Sequence, residues 1–267
     1  MRNGFEIIDA HCHLYPEKIA SRAVAGTDAF YGTVSACLGT AADLTEEADA
    51  AGIDRMIVQS VATTPKQVTS INRFIADSVA SSGGRWIGLG TLHPDSADQA
   101  ADVAAVRELG LHGVKLHPDI QNFNVDDPRS LRICELCEAA GLPILMHTGD
   151  RRYDHSNPNR LLLVLKAYPA LTVIGAHFGG WSIWEEAWKE LAGLPNFYVD
   201  CSSSFYYLDR ERAAAITRAY GADRVLFGTD YPMWKPAKEL DFFFSLRLTE
   251  EEQKQILSEN AKKVFRF

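Results

Sequence analysis

Short runs of β-branched and apolar residues recur about every thirty residues along this chain, and a longer amphipathic stretch follows each. Eight such runs are found, at residues 6–13, 55–61, 86–93, 113–117, 143–148, 171–177, 197–202 and 224–230. Apolar residues at helical spacing mark the segments between them, at 41–51, 65–81, 97–109, 129–140, 159–168, 184–192, 210–220 and 236–246. A last helix is expected from Thr249, which forms the pattern of a capping box with Glu252. Gly110, Gly141 and Gly221 stand where helices must end. Strands alternating one for one with helices predict a parallel sheet. Eight repeats in 267 residues predict that it closes on itself, as a single-domain α/β (β/α)8 TIM barrel over residues 1–267. The rival open sheet lacks its usual G-x-G-x-x-G turn after an early strand. Residues 14–40 break the rhythm and read as a long irregular loop over the mouth of the barrel, an active-site segment that could act as a lid.

Composition narrows the partners. Hydrophobic residues make up 46% and charged residues 23%, enough for a real core, and the net charge of −8 disfavours nucleic acid or an anionic membrane. No apolar run reaches the roughly 18 residues of a membrane span, and residues 1–6 carry no apolar leader core. Five scattered cysteines suit reduced thiols and a cytoplasmic setting. Cys134 and Cys137 lie within a predicted helix and are expected to be small core residues.

Histidine placement carries the functional information. Of eight histidines, six fall at C-terminal ends of predicted strands: His11, His13, His93, His117, His147 and His177. Strand ends make up roughly a tenth of such a chain, and barrel enzymes place their chemistry at that face. Strand alternation puts Asp9, His11 and His13 on one face and Ala10 and Cys12 on the other. Lys115 shares a face with His117, and Asp230 ends the eighth strand. Two histidines at i, i+2 on a strand end form a natural chelating pair, which needs one or two further donors and leaves a position open for water. His147, His177 and Asp230 can supply them.

The motifs Asp9-Ala10-His11-Cys12-His13, His147 in Ile-Leu-Met-His-Thr, His177 in Gly-Ala-His-Phe-Gly and Asp230 in Gly-Thr-Asp-Tyr-Pro resemble the amidohydrolase superfamily. They are most similar to the amidohydrolase-related group that includes aminocarboxymuconate semialdehyde decarboxylase. The ending from Ile256 to Ala261 also resembles that group. The resemblance implies that His11, His13, His147 and Asp230 hold one divalent metal ion. His177 then acts in catalysis beside it, or ligates a second ion. Gly113-Val-Lys-Leu-His117 is similar to the segment of two-metal members in which the lysine is carboxylated and bridges the ions. Lys115 is therefore either such a bridge or an unmodified lysine paired with Asp230 or substrate.

On this reading a bound metal lowers the pKa of water to about 7. Asp230 then accepts and passes on a proton, and His177 stabilises charge developing on a carbonyl. Asp9 is placed either to orient a ligand imidazole or to serve a purely structural role. Arg151 and Arg152 could clamp a carboxylate. Tyr153, Trp181, Tyr231 and Trp234 could line the pocket, with His117, Gln121 and His93 beside them. Trp184 and Trp188 are expected to pack their helix onto the barrel.

The expected function is a metal-dependent hydrolase of a small-molecule ester, lactone or amide, which Lys115 favours. The alternative is a decarboxylase or hydratase of a carboxylated ring or enol acid, a lyase. A TatD-like deoxyribonuclease is disfavoured because its Gly-Glu-x-Gly-Leu-Asp segment is replaced here by Gly113-Val-Lys-Leu-His-Pro118. A barrel that binds without turnover is the remaining alternative. Nitrogen and oxygen donors suit Zn, Mn, Co and Fe, with Zn the first expectation and one or two ions. Analogy alone suggests a homodimer.

Overall fold

In the computed structural model, which describes residues 1–267, the eight apolar runs pair side by side in chain order. They form β1 (Ile8–His13), β2 (Arg55–Gln59), β3 (Trp86–Gly88 and Gly90–Thr91, interrupted at Leu89), β4 (Val114–Leu116), β5 (Ile144–Met146), β6 (Val173–Gly175), β7 (Phe197–Asp200) and β8 (Val225–Leu226). Every pairing is parallel, with Met56 opposite Trp86, Val114 opposite Ile144 and Val173 opposite Phe197. The sheet closes where Ala10 N donates to Phe227 O at 2.9 Å and His13 N donates to Tyr231 O at 2.7 Å. The expected TIM barrel is present.

Alternation along the strands sorts the core into two layers. Ile8, Ala10, Ile57, Leu89, Leu145, Ile174, Tyr198 and Leu226 fill the interior, and Ala261, Val264 and Phe265 close its base. Ile7, Cys12, Val58, Val114, Ile144 and Val199 point the other way, into the layer shared with the helices. β1 departs from simple alternation. Its register with β2 shifts between Asp9 and Cys12, so Ala10 belongs to the interior cluster although His11 follows it into the barrel. The expectation that Asp9, His11 and His13 share one face, with Ala10 opposite, is therefore corrected. The bulge turns Asp9 away from the imidazoles, and its carboxylate instead accepts from His11 N, Thr229 N and Thr229 Oγ1.

Twelve helices surround the strands. The stretch 14–40 is not the irregular loop expected. It contains the fifteen-residue α1 (Glu17–Tyr31), ended by Gly32 in the left-handed conformation. Sequence periodicity missed it because α1 buries only Ala20, so it lacks the apolar stripe of a core-packed helix. The others are α2 (Ala41–Ala51), α3 (Val68–Ser81), α4 (Gln99–Glu108), α5 (Pro118–Gln121), α6 (Pro128–Ala140), α7 (Pro158–Ala167), α8 (Trp184–Leu191), α9 (Arg210–Tyr220), α10 (Pro236–Phe244), α11 (Glu250–Lys254) and α12 (Asn260–Phe265). Asp98, Asp127 and Asp209 cap α4, α6 and α9 by accepting a backbone N–H, and Thr249 and Glu252 form the expected capping box. Cys134 and Cys137 are buried in the core on α6. No helix is long and apolar enough to cross a membrane.

Glu239 on α10 is buried, its Oε2 has no hydrogen-bond partner, and burial pushes its carboxyl up to about 8, helped by Asp230 and Asp9. The unfolded chain would ionise this group near its ordinary 4.5. Unfolding therefore releases a proton between those values, and stability falls as pH rises through that window. Glu239→Gln should stabilise the protein by on the order of 2–3 kcal/mol at pH 8. It should have little effect at pH 4. Urea denaturation at the two pH values checks this, and an equal effect at both would contradict it.

Candidate active site

At the C-terminal mouth of the barrel four imidazoles converge from β1 and the ends of β5 and β6. His11 Nε2 lies 3.2 Å from His13 Nε2, and Asp230 Oδ1 lies 3.3 and 3.4 Å from the same two atoms. His177 Nε2 lies 3.1 Å from His147 Nδ1, and the His177 ring stacks on His11 with centroids 5.3 Å apart. Strand register explains the first cluster, because β8 closes against β1 and carries Asp230 to the His pair. The approach needs Gly228, where a Cβ would come within 3.0 Å of His11 Cβ.

Hydrogen bonds at the far side of each ring decide which nitrogen faces inward. His11 Nδ1 donates to Asp200 Oδ2 at 2.9 Å, leaving Nε2 as a lone pair. His177 Nδ1 donates to Ser202 O at 3.0 Å, with the same result. Asp119 Oδ2 lies 3.3 Å from His147 Nε2, although neither Asp119 oxygen has a well-formed hydrogen bond. A proton held on His147 Nε2 toward that buried carboxylate leaves Nδ1 free. His13 Nδ1 is buried without a partner. The inward atoms of His11, His147 and His177 are thus lone pairs beside the Asp230 carboxylate, an arrangement that favours a cation, and Lys115 Nζ lies 3.1 Å from one of them, His11 Nε2. His11, His13 and Asp230 offer donors 3.2–3.4 Å apart. Those are the edge lengths of a shell with metal–ligand bonds of about 2.0–2.2 Å, so the donor set fits a divalent ion.

Charge at the site is set by burial and by mutual contacts. Burial pushes the His13 imidazole down to about 4 and that of His177 down to about 3, so both are neutral at pH 7. Burial, with His147 and Lys115 nearby, lowers His117 well below its ordinary range. Burial alone would raise Asp230, but His11, His13 and His177 hold its carboxyl well below the ordinary value. Lys115 projects into the barrel interior, fully buried, with Nζ 3.1 Å from His11 Nε2. Burial lowers its ammonium to about 8, against the opposing pull of Asp200 and Asp230. Backbone strain gathers in the same place. His177, Ser203 and Asp230, after β6, β7 and β8, have φ of 60°, 51° and 58°. Left-handed backbone is costly for such residues and characteristic of functional sites.

These side chains open into a cavity of about 690 Å3 roofed by α1. His11, His13, Lys115, His117, His147, His177, Trp181, Asp230 and Trp234 line it. Trp234 Nε1 donates to Ser203 Oγ at 2.8 Å, and Ser203 Oγ donates to Asp230 Oδ2 at 2.5 Å. This relay turns Oδ1 toward the histidines. From the roof, Tyr31 reaches down. His117 Nδ1 accepts from Ile120 N at 3.3 Å, so its Nε2 donates to the Tyr31 hydroxyl at 2.8 Å. The hydroxyl proton is then free for a ligand, and the hydroxyl oxygen lies 3.4 Å from the protonated His147 Nε2.

Several residues expected at the pocket lie elsewhere. Arg151 is exposed, and its guanidinium donates to Ser182 O at 2.7 Å. Arg152 is committed to buried Asp150 at 2.7 Å and sits over the rings of Phe30, Tyr31, Tyr153 and Trp181 at 5.1–5.5 Å. Neither arginine lines the cavity, so the carboxylate clamp is not formed. Tyr153 stacks on the outer side of Phe30, 5.7 Å between centroids. Tyr231 is wholly buried, with its hydroxyl donating to Asp43 at 2.6 Å. Gln121 ties Ala62 O to Leu92 O, and His93 accepts from Asp95 N. Trp184 and Trp188 pack against the core. Sequence reasoning also passed over Asp200, Asp119, Ser203 and Tyr31. The strand-end rule that picked out the histidines would have flagged Asp200, and His117-x-Asp119 repeats the i, i+2 spacing of His11 and His13. Nothing local marks Tyr31.

Comparison with known proteins agrees with this fold. The family model described as Amidohydrolase matches residues 8–267. The 2-amino-3-carboxymuconate-6-semialdehyde decarboxylase of Dictyostelium discoideum is 30% identical over 115 residues, 41% of this chain. That match spans about a third of the relative, 32%. An uncharacterized TIM-barrel protein from Bordetella bronchiseptica superposes with a TM-score of 0.77 at 24% identity, covering 98% of this chain and 99% of the other. A 5-carboxyvanillate decarboxylase from Novosphingobium aromaticivorans, complexed with manganese and 4-hydroxy-3-methoxy-5-nitrobenzoic acid, superposes with a TM-score of 0.78 at 17% identity, covering 100% and 97%.

The Arg152 clasp is the main tie between α1 and the barrel, since Arg152 Nη1 also donates to Phe30 O at 2.9 Å. Arg152→Ala should speed amide hydrogen exchange across 17–31 by about 10–100-fold while leaving the strands protected. Unchanged exchange in α1 would refute the clasp.

Proposed function

From the premise that the chain belongs to the amidohydrolase family, we propose that it is a divalent-metal-dependent decarboxylase of a carboxylated ring or enol acid. One observation carries the reading: His11, His13 and Asp230 present donor atoms 3.2–3.4 Å apart at the base of a cavity that His147 and His177 also line. The decarboxylase names of two relatives move the reaction class from hydrolysis to CO2 loss. Manganese in one of those relatives makes Mn2+ the first ion to test, ahead of the Zn expected from the donors.

His11, His13, Asp230 and His147 would hold the ion, with Asp200 and Asp119 fixing the two imidazoles from behind. When bound, it would polarise the substrate oxygens and stabilise charge on them. The protein supplies the rest. In the reaction the ring–carboxylate bond breaks, its electron pair stays on the ring carbon, and a proton takes the place of CO2. Asp230, oriented by Ser203 and Trp234, and His177, with Nδ1 held by Ser202 O, are the groups placed to carry that proton. His117 and Trp181 line the cavity beside them as substrate contacts. Phe30 and Tyr31 cover the site and exclude water, which would otherwise compete for the polar groups. Hydrolysis is the second reading, favoured by Lys115 buried against His11, where a carboxylated lysine could bridge two ions.

Protein purified without chelators should contain at least one equivalent of divalent metal by elemental analysis, and His13→Ala should lose it. Asp119→Asn should weaken Mn2+ binding about 10–100-fold in a chelator competition, with the melting temperature of the metal-free protein unchanged. The Mn2+-loaded enzyme should release CO2 from one or more hydroxylated aromatic acids without incorporating 18O from water. Incorporation of 18O into product with no CO2 would overturn decarboxylation in favour of hydrolysis.

A further inference from the structure

The cavity is larger than a small ring acid needs, and helices α1 and α3 line it together with the histidines. At about 690 Å3 it belongs with pockets that enclose drug-sized ligands, roughly 300–1,000 Å3. A single carboxylated ring seated at the histidines leaves most of it empty. The remaining wall is built from two helix faces. Ile19 and Ala23, one turn apart on α1, line it from above. Ile71 and Phe74, three residues apart on α3, line it from the side, and Ile120 joins them from α5.

Both helices leave these residues short of full burial for a structural reason. α3 spends its core-facing positions, Val68, Asn72 and Ile75, on the barrel, so Ile71 and Phe74 fall on the adjacent strip. α1 buries only Ala20, so Ile19 and Ala23 have no core to cover them. Apolar side chains of both helices thus border a cavity continuous with the histidines, with Lys18 and Arg22 of α1 and Ser70 of α3 also on its wall. The hydrophobic effect favours placing apolar surface against Ile19, Ile71 and Phe74.

We propose that this arm is a specificity subsite, and that the substrate is an acid whose carboxylated ring or enol head carries an apolar alkyl or aryl substituent lodged between α1 and α3. The proposal rests on the decarboxylase reading for its head group. It concerns the tail, which that reading does not specify. Continuity with the histidines names the occupant: a group entering the arm must be attached to whatever sits at the reacting centre.

The test uses the Mn2+-loaded enzyme and 2-hydroxybenzoates bearing hydrogen, methyl, ethyl, propyl or phenyl at each free ring position. CO2 release gives kcat/KM, and calorimetry gives affinity independently of turnover. At one ring position or more, affinity and kcat/KM should rise about fourfold per added methylene. Phe74→Asp should flatten that rise, measured as the ratio of propyl to parent within the variant, and Phe74→Leu should restore most of it. Ile71→Asp repeats the test should Phe74→Asp fail to fold. A series that is flat or falling at every ring position overturns the arm. A flat series with CO2 release does so while leaving decarboxylation intact. Graded affinity without CO2 from any compound supports the arm and overturns decarboxylation instead.

Discussion

Four imidazoles and a carboxylate are held together in a part of the protein nearly closed to water, and the architecture of the mouth answers to that arrangement. Burying such groups unpaired is expensive, and all but His13 face a partner at the far side. Asp200 takes the outer proton of His11, the Ser202 carbonyl takes that of His177, and Asp119 faces His147. The Ser203–Trp234 relay fixes Asp230. Left-handed residues after β6, β7 and β8 add local strain that the surrounding packing must hold in place. A cation placed among the inward atoms relieves the repulsion that the rest of the structure imposes on them.

The barrel divides its labour between its ends. Its lower interior is apolar, from Ile8 and Leu226 down to Phe265 on α12, and this packing sets the strand positions. Lys115 marks the boundary. It stands level with Leu145 in the β4–β5 register but extends up to His11. Above it the side chains are polar and the geometry exact enough for chemistry. The bulge in β1 serves the same transition, since it lets Ala10 finish the apolar layer while His11 begins the polar one.

The roof is made differently. α1 has a single buried residue and is held by a few side-chain contacts, chiefly the Arg152 clasp and the Tyr31 hydroxyl on His117. Elements with so little buried surface lie at the low-stability end of a fold, where opening costs least. Ile19 and Ala23 of the same helix also line the cavity that the histidines border.

How much of this could be read from the chain depends on the range of each interaction. The eightfold alternation, the strand-end histidines and the capped helices all arise from spacing along the sequence, so the barrel and its catalytic face were legible. Other features were not, because they need atoms that only the closed barrel brings together. Asp9 sits two residues from His11, yet the bulge aims it at Thr229. Arg152 follows β5 as a carboxylate clamp should, yet Asp150 and four aromatic rings already occupy it. Tyr31 lies 86 positions from His117 and meets it only across the cavity. Residue type and period determined the scaffold and the donor side chains at its mouth. Tertiary structure alone decided which nitrogen of each ring faces inward and what covers the site, since both depend on contacts that no local pattern encodes.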